Sequence, residues 1–197
     1  MTKASIEKTV YWTRLRHGRH EWIAAAGPEG PCYVGGWDES EETFRSWARR
    51  RMPEAGLIYA EPSGAEPFNG LKRFAEELLS YLNGEAPRFD AAYRLPGTAF
   101  QQAVWKALCH IPYGETRTYS DVAAAVGRPD AVRAVAAAIG ANPLLVAVPC
   151  HRVVGKDGSL TGYRGGLPMK RRLLELEGAY GQSAAKQPIS APTRAET

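Results

Sequence analysis

The sequence predicts an α+β protein: a small, mainly antiparallel β-sheet with helices first, then a mostly α-helical part that holds a helix-turn-helix. Three observations predict it. Short aromatic and β-branched runs, punctuated by glycine and proline, fill residues 9–37. From residue 68 onward, apolar residues recur at helical spacing instead. Between Gly84 and Thr98 the texture changes, which places a boundary there and divides the chain into residues 1–90, 91–180 and a tail, 181–197.

The elements follow in order. Residues 9–13, 20–25 and 31–35 read as a β-meander, with Gly18 and Gly27-Pro28-Glu29-Gly30 at its turns. Residues 41–52 read as a helix whose end, Arg49-Arg50-Arg51, is basic. Such a triplet suits phosphate, but a cationic last turn is also what a helix dipole favours, and that reading is preferred. Residues 57–60 are a fourth strand. Residues 68–82 form an amphipathic helix with Leu71, Phe74, Leu78, Leu79 and Leu82 on one face, ended by Asn83-Gly84. Residues 88–95 are extended up to Pro96-Gly97.

Thr98 caps a helix carrying Phe100, Val104, Trp105 and Leu108, stopped by Ile111-Pro112-Tyr113-Gly114. Ser120 is expected to cap a short helix over residues 121–126 that ends at Gly127. Pro129 or Asp130 opens another helix that runs to Ile139 and closes at Gly140-Ala141-Asn142-Pro143. Two short helices joined by a glycine-containing turn make the helix-turn-helix pattern, though any alanine-rich hairpin shares it. The second helix has small side chains and one base, Arg133. A helix that reads bases carries several polar groups. This one suits binding that ignores sequence, with a single arginine pushed into the base stack.

In residues 146–154, apolar segments flank Pro149-Cys150-His151-Arg152. Proline fixes one backbone angle and removes a donor, so a regular strand does not run through and Cys150 sits on a rigid bend. A thiol attacks as thiolate, and an imidazole takes its proton directly or through water. The plain alternative is a buried, inert cysteine beside a satisfied histidine. Residues 155–158 are a turn, residues 160–166 are glycine-rich enough to line a pocket, and residues 167–177 are a helix with Leu173, Leu174 and Leu176 apolar and Gly178 at its end. From Gly181 the chain is small, polar and proline-bearing, the composition of a disordered tail.

Composition bounds the partners. A formal charge of +4 and a pI near 9.0 permit a polyanion without demanding one. Cys32, Cys109 and Cys150 are odd in number and widely spaced, against a disulfide framework and against a zinc site. No apolar run reaches membrane-span length, and the start has no signal-peptide h-region. The expected setting is cytoplasmic and reducing, where a thiol survives.

These residues resemble one family, the O6-alkylguanine-DNA alkyltransferases, or methylated-DNA–protein-cysteine methyltransferases. The resemblance rests on Pro149-Cys150-His151-Arg152-Val153, Ile111-Pro112-Tyr113-Gly114-Glu115, Thr118-Tyr119, Arg133-Ala134-Val135, Asn142-Pro143, the Gly162-Tyr163-x-Gly165-Gly166 loop and Leu173-Leu174-x-x-Glu177-Gly178, in family order and spacing. It implies an RNase H-like first domain. It implies that the chain moves an alkyl group from guanine O6 (and from O4-alkylthymine) onto its own cysteine, once per molecule. Carried over, Cys150 accepts the alkyl group, His151 deprotonates it through a water, Glu177 orients His151, and Asn142 braces the turn. Tyr119 helps rotate the nucleotide and gives a proton to the leaving guanine. Arg133 enters from the minor groove and fills the space of the flipped base, with Thr118, Ser120 and Ala134 also facing DNA. Pro149, Tyr163, Arg164 and the backbone at Val153 bound the guanine pocket. Position 164 is small in some relatives, which leaves pocket width open. The partner implied is double-stranded DNA bearing the lesion, read without sequence preference by a monomer, with no cofactor, no metal and no membrane. Two other classes stay open: a non-catalytic lesion-binding protein, which lacks the cysteine, and a Cys-His hydrolase, which turns over.

Overall fold

The structure, a computed structural model, describes residues 9–61, 69–90, 93, 95–181 and 189. It divides into two compact units, Met1–Pro96 and Gly97–Thr197. Phe68, where the second helix is expected to begin, and nearly all of the expected tail lie outside the described residues.

The first unit is built on a four-stranded sheet of order β3-β2-β1-β4, from β1 (Thr9–His17), β2 (His20–Gly27), β3 (Gly30–Val34) and β4 (Gly56–Tyr59). β1 and β2 form a hairpin whose loop contains Gly18 at φ 59°, a left-handed conformation that glycine adopts without steric cost. β2 and β3 are also antiparallel, but β4 joins β1 in parallel, so the sheet is mixed. Alternation decides which side chains meet. Val10, Trp12, Ile23, Ala25 and Tyr33 gather on one face with Phe44 of α1 (Glu41–Arg51). α1 starts at Ser40, whose hydroxyl accepts from the Thr43 amide. Its basic end is answered within the helix: Arg49 pairs with Glu42, and Arg50 donates to Ser46 Oγ at 2.7 Å. α2 (Asn69–Leu82) packs across β1, β2 and β3. Leu79, expected on its apolar face, is only half-buried; Ala75 and Tyr81 complete that face, because Tyr81 packs on Phe89 at 5.4 Å between ring centroids.

The second unit begins with α3 (Ala99–Cys109), held at its start by reciprocal hydrogen bonds between Thr98 and Gln101. Phe100 is half-buried, while Val104, Trp105, Ala107 and Leu108 are the buried side. A Cβ at Gly97 would lie 2.6 Å from the Trp105 ring, so only glycine fits there. α4 (Tyr119–Ala125) and α5 (Val132–Gly140) pack on each other and on α3, where Trp105 Nε1 donates to the Ala138 carbonyl at 2.8 Å.

Three expected boundaries move. Thr118, not Ser120, caps α4: its hydroxyl accepts from the Asp121 amide while Asp121 accepts from the Thr118 amide. Ser120 is exposed inside the first turn. α5 begins at Val132 rather than at Pro129 or Asp130, with no side-chain cap. The last helix, α6 (Leu167–Leu176), stops one residue early, with Leu176 half-buried and Lys170 fully buried.

Two two-residue strands tie the second unit together. β5 (Arg117–Thr118) runs parallel to β6 (Val153–Val154), pairing Arg117 with Val153 and Thr118 with Val154. β5 leads directly into α4, and β6 directly follows a 3-10 turn, Cys150–Arg152. This short ladder therefore brings the start of α4 beside the cysteine segment.

Candidate active site

The segment ahead of Cys150 is bent twice. The Ala147 amide donates to the Leu145 carbonyl at 2.9 Å around Val146, whose φ is 71°. Such a γ-turn is strained, and more so at a β-branched residue, at a cost on the order of 1–3 kcal/mol. The Cys150 amide then donates to the Val148 carbonyl at 2.7 Å around Pro149, at φ −80° and ψ 58°. That is the inverse γ-turn, which suits proline's fixed φ. The expected bend at Pro149 is thus a pair of tight turns feeding a 3-10 turn.

Cys150 is buried. Asn142, also fully buried, directs its Nδ2 to Cys150 Sγ at 3.1 Å and to the Val148 carbonyl at 3.0 Å, while its Oδ1 accepts from the Leu144 amide at 3.0 Å. One amide therefore braces the turn and donates to the sulfur. Burial pushes the Cys150 thiol up; the Asn142 hydrogen bond and the charges of Arg164 and Lys170 pull it back toward thiolate.

His151 and Glu177 are brought together inside the unit: His151 Nε2 lies 2.6 Å from Glu177 Oε1, with neither side chain exposed. Glu177 caps the C-terminal end of α6, an unfavourable place for a carboxylate by the helix dipole alone. Arg152 resolves this. Its Nε donates to Glu177 Oε2 at 2.9 Å, its Nη2 to Oε1 at 3.1 Å and its Nη1 to the Ile111 carbonyl at 2.6 Å, with the guanidinium over the Tyr113 ring. The Gly114 amide adds a further donor to Oε2 at 3.2 Å. Burial would raise the Glu177 carboxyl, but hydrogen bonding and charge from His151 and Arg152 hold it at about 2. Burial pushes His151 down, against the pull of Glu177. The result is an ionised carboxylate against Nε2 of an imidazole that burial holds toward its neutral form.

The remaining predicted residues fall around this centre. Tyr119 is the first residue of α4, half-buried, and its phenolic oxygen accepts from Thr161 Oγ1 at 3.1 Å. The Tyr163 ring stands edge-on to His151 at 6.5 Å. Arg164 donates from Nε to the Asn142 carbonyl at 3.0 Å and from Nη2 to the Pro143 carbonyl at 3.1 Å. The Val153 carbonyl accepts from Lys170 Nζ. Arg133 and Ala134 are exposed on α5, and among the described residues Arg133 makes no hydrogen bond or ion pair; Thr118 and Ser120 lie at the start of α4. Of the other two cysteines, Cys32 is buried, which pushes its thiol up to about 12, and Cys109, exposed, donates to the Trp105 carbonyl. Among the described residues no group of histidine, cysteine, aspartate and glutamate is placed to hold a metal ion, and no helix is long and apolar enough to cross a membrane.

Sequence reasoning missed Arg152, Lys170 and Thr161 as parts of this centre. One signal for Lys170 is present: positions 170, 173, 174 and 177 have the spacing of one helix face, which α6 turns inward.

Residues 99–179 match the model of the 6-O-methylguanine DNA methyltransferase DNA-binding domain. The inducible methylated-DNA–protein-cysteine methyltransferase of Bacillus subtilis is 47% identical over 169 residues, covering 86% of this chain and 90% of that protein. The chain belongs to the methylated-DNA–protein-cysteine methyltransferase family. A Mycobacterium bovis member of the family is 56% identical over 150 residues, 76% of this chain and 87% of its own length. The crystal structure of the Mycobacterium tuberculosis O6-methylguanine methyltransferase superposes with a TM-score of 0.70 at 36% identity, over 88% of this chain and 95% of that one. A second structure, Mycobacterium tuberculosis OGT in complex with DNA, gives 0.69 at 34% identity, over 89% and 96%. The family fold, a mixed sheet with helices followed by a mainly helical DNA-binding domain, is the α+β architecture expected from the sequence.

Proposed function

We propose that this chain repairs O6-methylguanine in DNA directly, by taking the methyl group onto Cys150. The methyl carbon lies within the base stack, where a buried sulfur cannot approach it in line. The nucleotide therefore rotates out, at a cost of roughly a few kcal/mol, less for a damaged pair. α5, with its small side chains, approaches the minor groove, and Arg133 fills the vacated space and offsets lost stacking. The exposed Ala134 and Ser120 and the half-buried Thr118 flank that approach. The contacts are to shape and phosphate, so sequence preference is not required.

At the site, the Cys150 proton passes through a water to His151 Nδ1, and Glu177 stabilises the imidazolium. The Asn142 amide favours the thiolate. The sulfur attacks the methyl carbon; the S–C bond forms as the C–O6 bond breaks, and its electron pair stays with guanine. Tyr119 protonates the leaving guanine, and solvent returns the imidazolium proton to the phenolate. Pro149, Tyr163, Arg164 and the Val153 backbone bound the extruded base. The product is an alkyl thioether with no easy hydrolytic route back, so each molecule acts once. The same displacement serves O4-alkylthymine. Every group named belongs to one chain, so a monomer suffices.

The observation that carries this reading is the Asn142 amide on Cys150 Sγ at 3.1 Å, next to the buried His151–Glu177 pair, in a chain of this family. The experiment is Cys150→Ala. Transfer from methylated duplex is expected to vanish while DNA affinity persists; an equal loss of affinity would make the cysteine structural.

A further inference from the structure

Lys170 is fully buried, yet its Nζ is placed on two backbone carbonyls, those of Val153 and, at 2.8 Å, Thr161. A buried ammonium is costly, and here it staples two separate segments. Val153 directly follows the turn that carries Cys150, and Thr161 belongs to the loop before α6. From that held position, Thr161 Oγ1 donates to the phenolic oxygen of Tyr119 at 3.1 Å. The donor direction matters. An oxygen that accepts from Thr161 keeps its own proton pointing elsewhere, ready for another acceptor. When that proton leaves, the hydrogen bond from Thr161 strengthens onto the phenolate, because donors to charged groups are worth more than donors to neutral ones.

We infer that Thr161 is a positioning residue for proton delivery: its hydroxyl orients the Tyr119 phenol and stabilises the phenolate left when the leaving base takes the proton, while Lys170 fixes Thr161 relative to the cysteine segment. The inference rests on the acid role of Tyr119 proposed above. Bond-making is unchanged from that scheme. Sulfur bonds to carbon, carbon leaves oxygen, the proton moves from Tyr119 to guanine, and Thr161 keeps its own proton throughout.

The test is single-turnover methyl transfer from duplex DNA containing O6-methylguanine, for Thr161→Val, Thr161→Ser, Tyr119→Phe and the Thr161→Val/Tyr119→Phe double variant. Thr161→Val keeps the side chain's shape and removes the donor. It is expected to slow transfer roughly tenfold, the size of one hydrogen bond to a developing charge. Thr161→Ser should restore the rate. In the Tyr119→Phe background, Thr161→Val should change nothing further. A parental rate in Thr161→Val, or the same loss with Tyr119 absent, would overturn the inference. The outcomes also separate it from its premise. Tyr119→Phe at the parental rate would remove the acid role and the inference with it; a slow Tyr119→Phe beside a parental Thr161→Val would remove the inference alone.

Discussion

The chemistry of this site is set by which charges are allowed to be buried. Glu177 ionises inside the unit because Arg152 and the Gly114 amide meet its oxygens, and that charge then holds His151 by one nitrogen. Both groups make stability depend on pH with the same sign. His151 is held below its ordinary 6.5, so the unfolded ring protonates first and stability declines as pH falls below about 6.5. Glu177 falls from an ordinary 4.5 to about 2, so its stabilisation is whole above about pH 4.5 and is lost on the way down to about 2. Denaturant midpoints measured against pH should show both declines. Glu177→Gln should remove the lower one and cost roughly 3–5 kcal/mol at neutral pH, because it leaves Arg152 a buried cation without its carboxylate. An unchanged acid slope in that variant would contradict the account. Cys150 and His151 were legible as candidates because their residue types imply the chemistry, whereas Asn142 and Glu177 entered through the family resemblance. Arg152 stood next to them in the sequence, but its partnership with a residue twenty-five positions away is a tertiary fact.

At the scale of elements, local signals were readable where they were complete in themselves. The aromatic strands, the amphipathic helix ending at Leu82 and the Thr98 cap follow from period and capping chemistry. The start of α4 shows the limit. Thr118 and Ser120 are both good caps; what selects Thr118 is Asp121 three positions on, which closes a reciprocal pair, and the parallel pairing of Thr118 with Val154. Strands of two residues have no periodicity to read, and the parallel register of β4 on β1 is not encoded by alternation within either strand. Lys170 is invisible to any rule that sends lysine to solvent. Thr118→Ala should cost about 1 kcal/mol and slow transfer by loosening Tyr119, whereas Ser120→Ala should cost less than about 0.5 kcal/mol. Urea unfolding of the two variants checks this; equal costs would mean that Thr118 does not hold the helix.

For the molecule as a whole, the proposed function requires the second unit to extrude a nucleotide and receive its base. Arg133 stands exposed on α5, and the reacting groups are buried in the same unit. If Arg133 acts on the duplex, Arg133→Ala should slow transfer from duplex DNA by tenfold or more, on the order of the stacking it replaces, and leave transfer from free O6-alkylguanine nearly unchanged. Equal losses on the two substrates would take that role away. The central claim is that Cys150 accepts the alkyl group and keeps it. Intact mass after incubation with excess O6-methylguanine duplex, followed by peptide mapping, tests it most directly. The expected result is one added methyl group per chain, located at Cys150 and unchanged by longer incubation; no added mass, or a methyl group at any other residue, would contradict it.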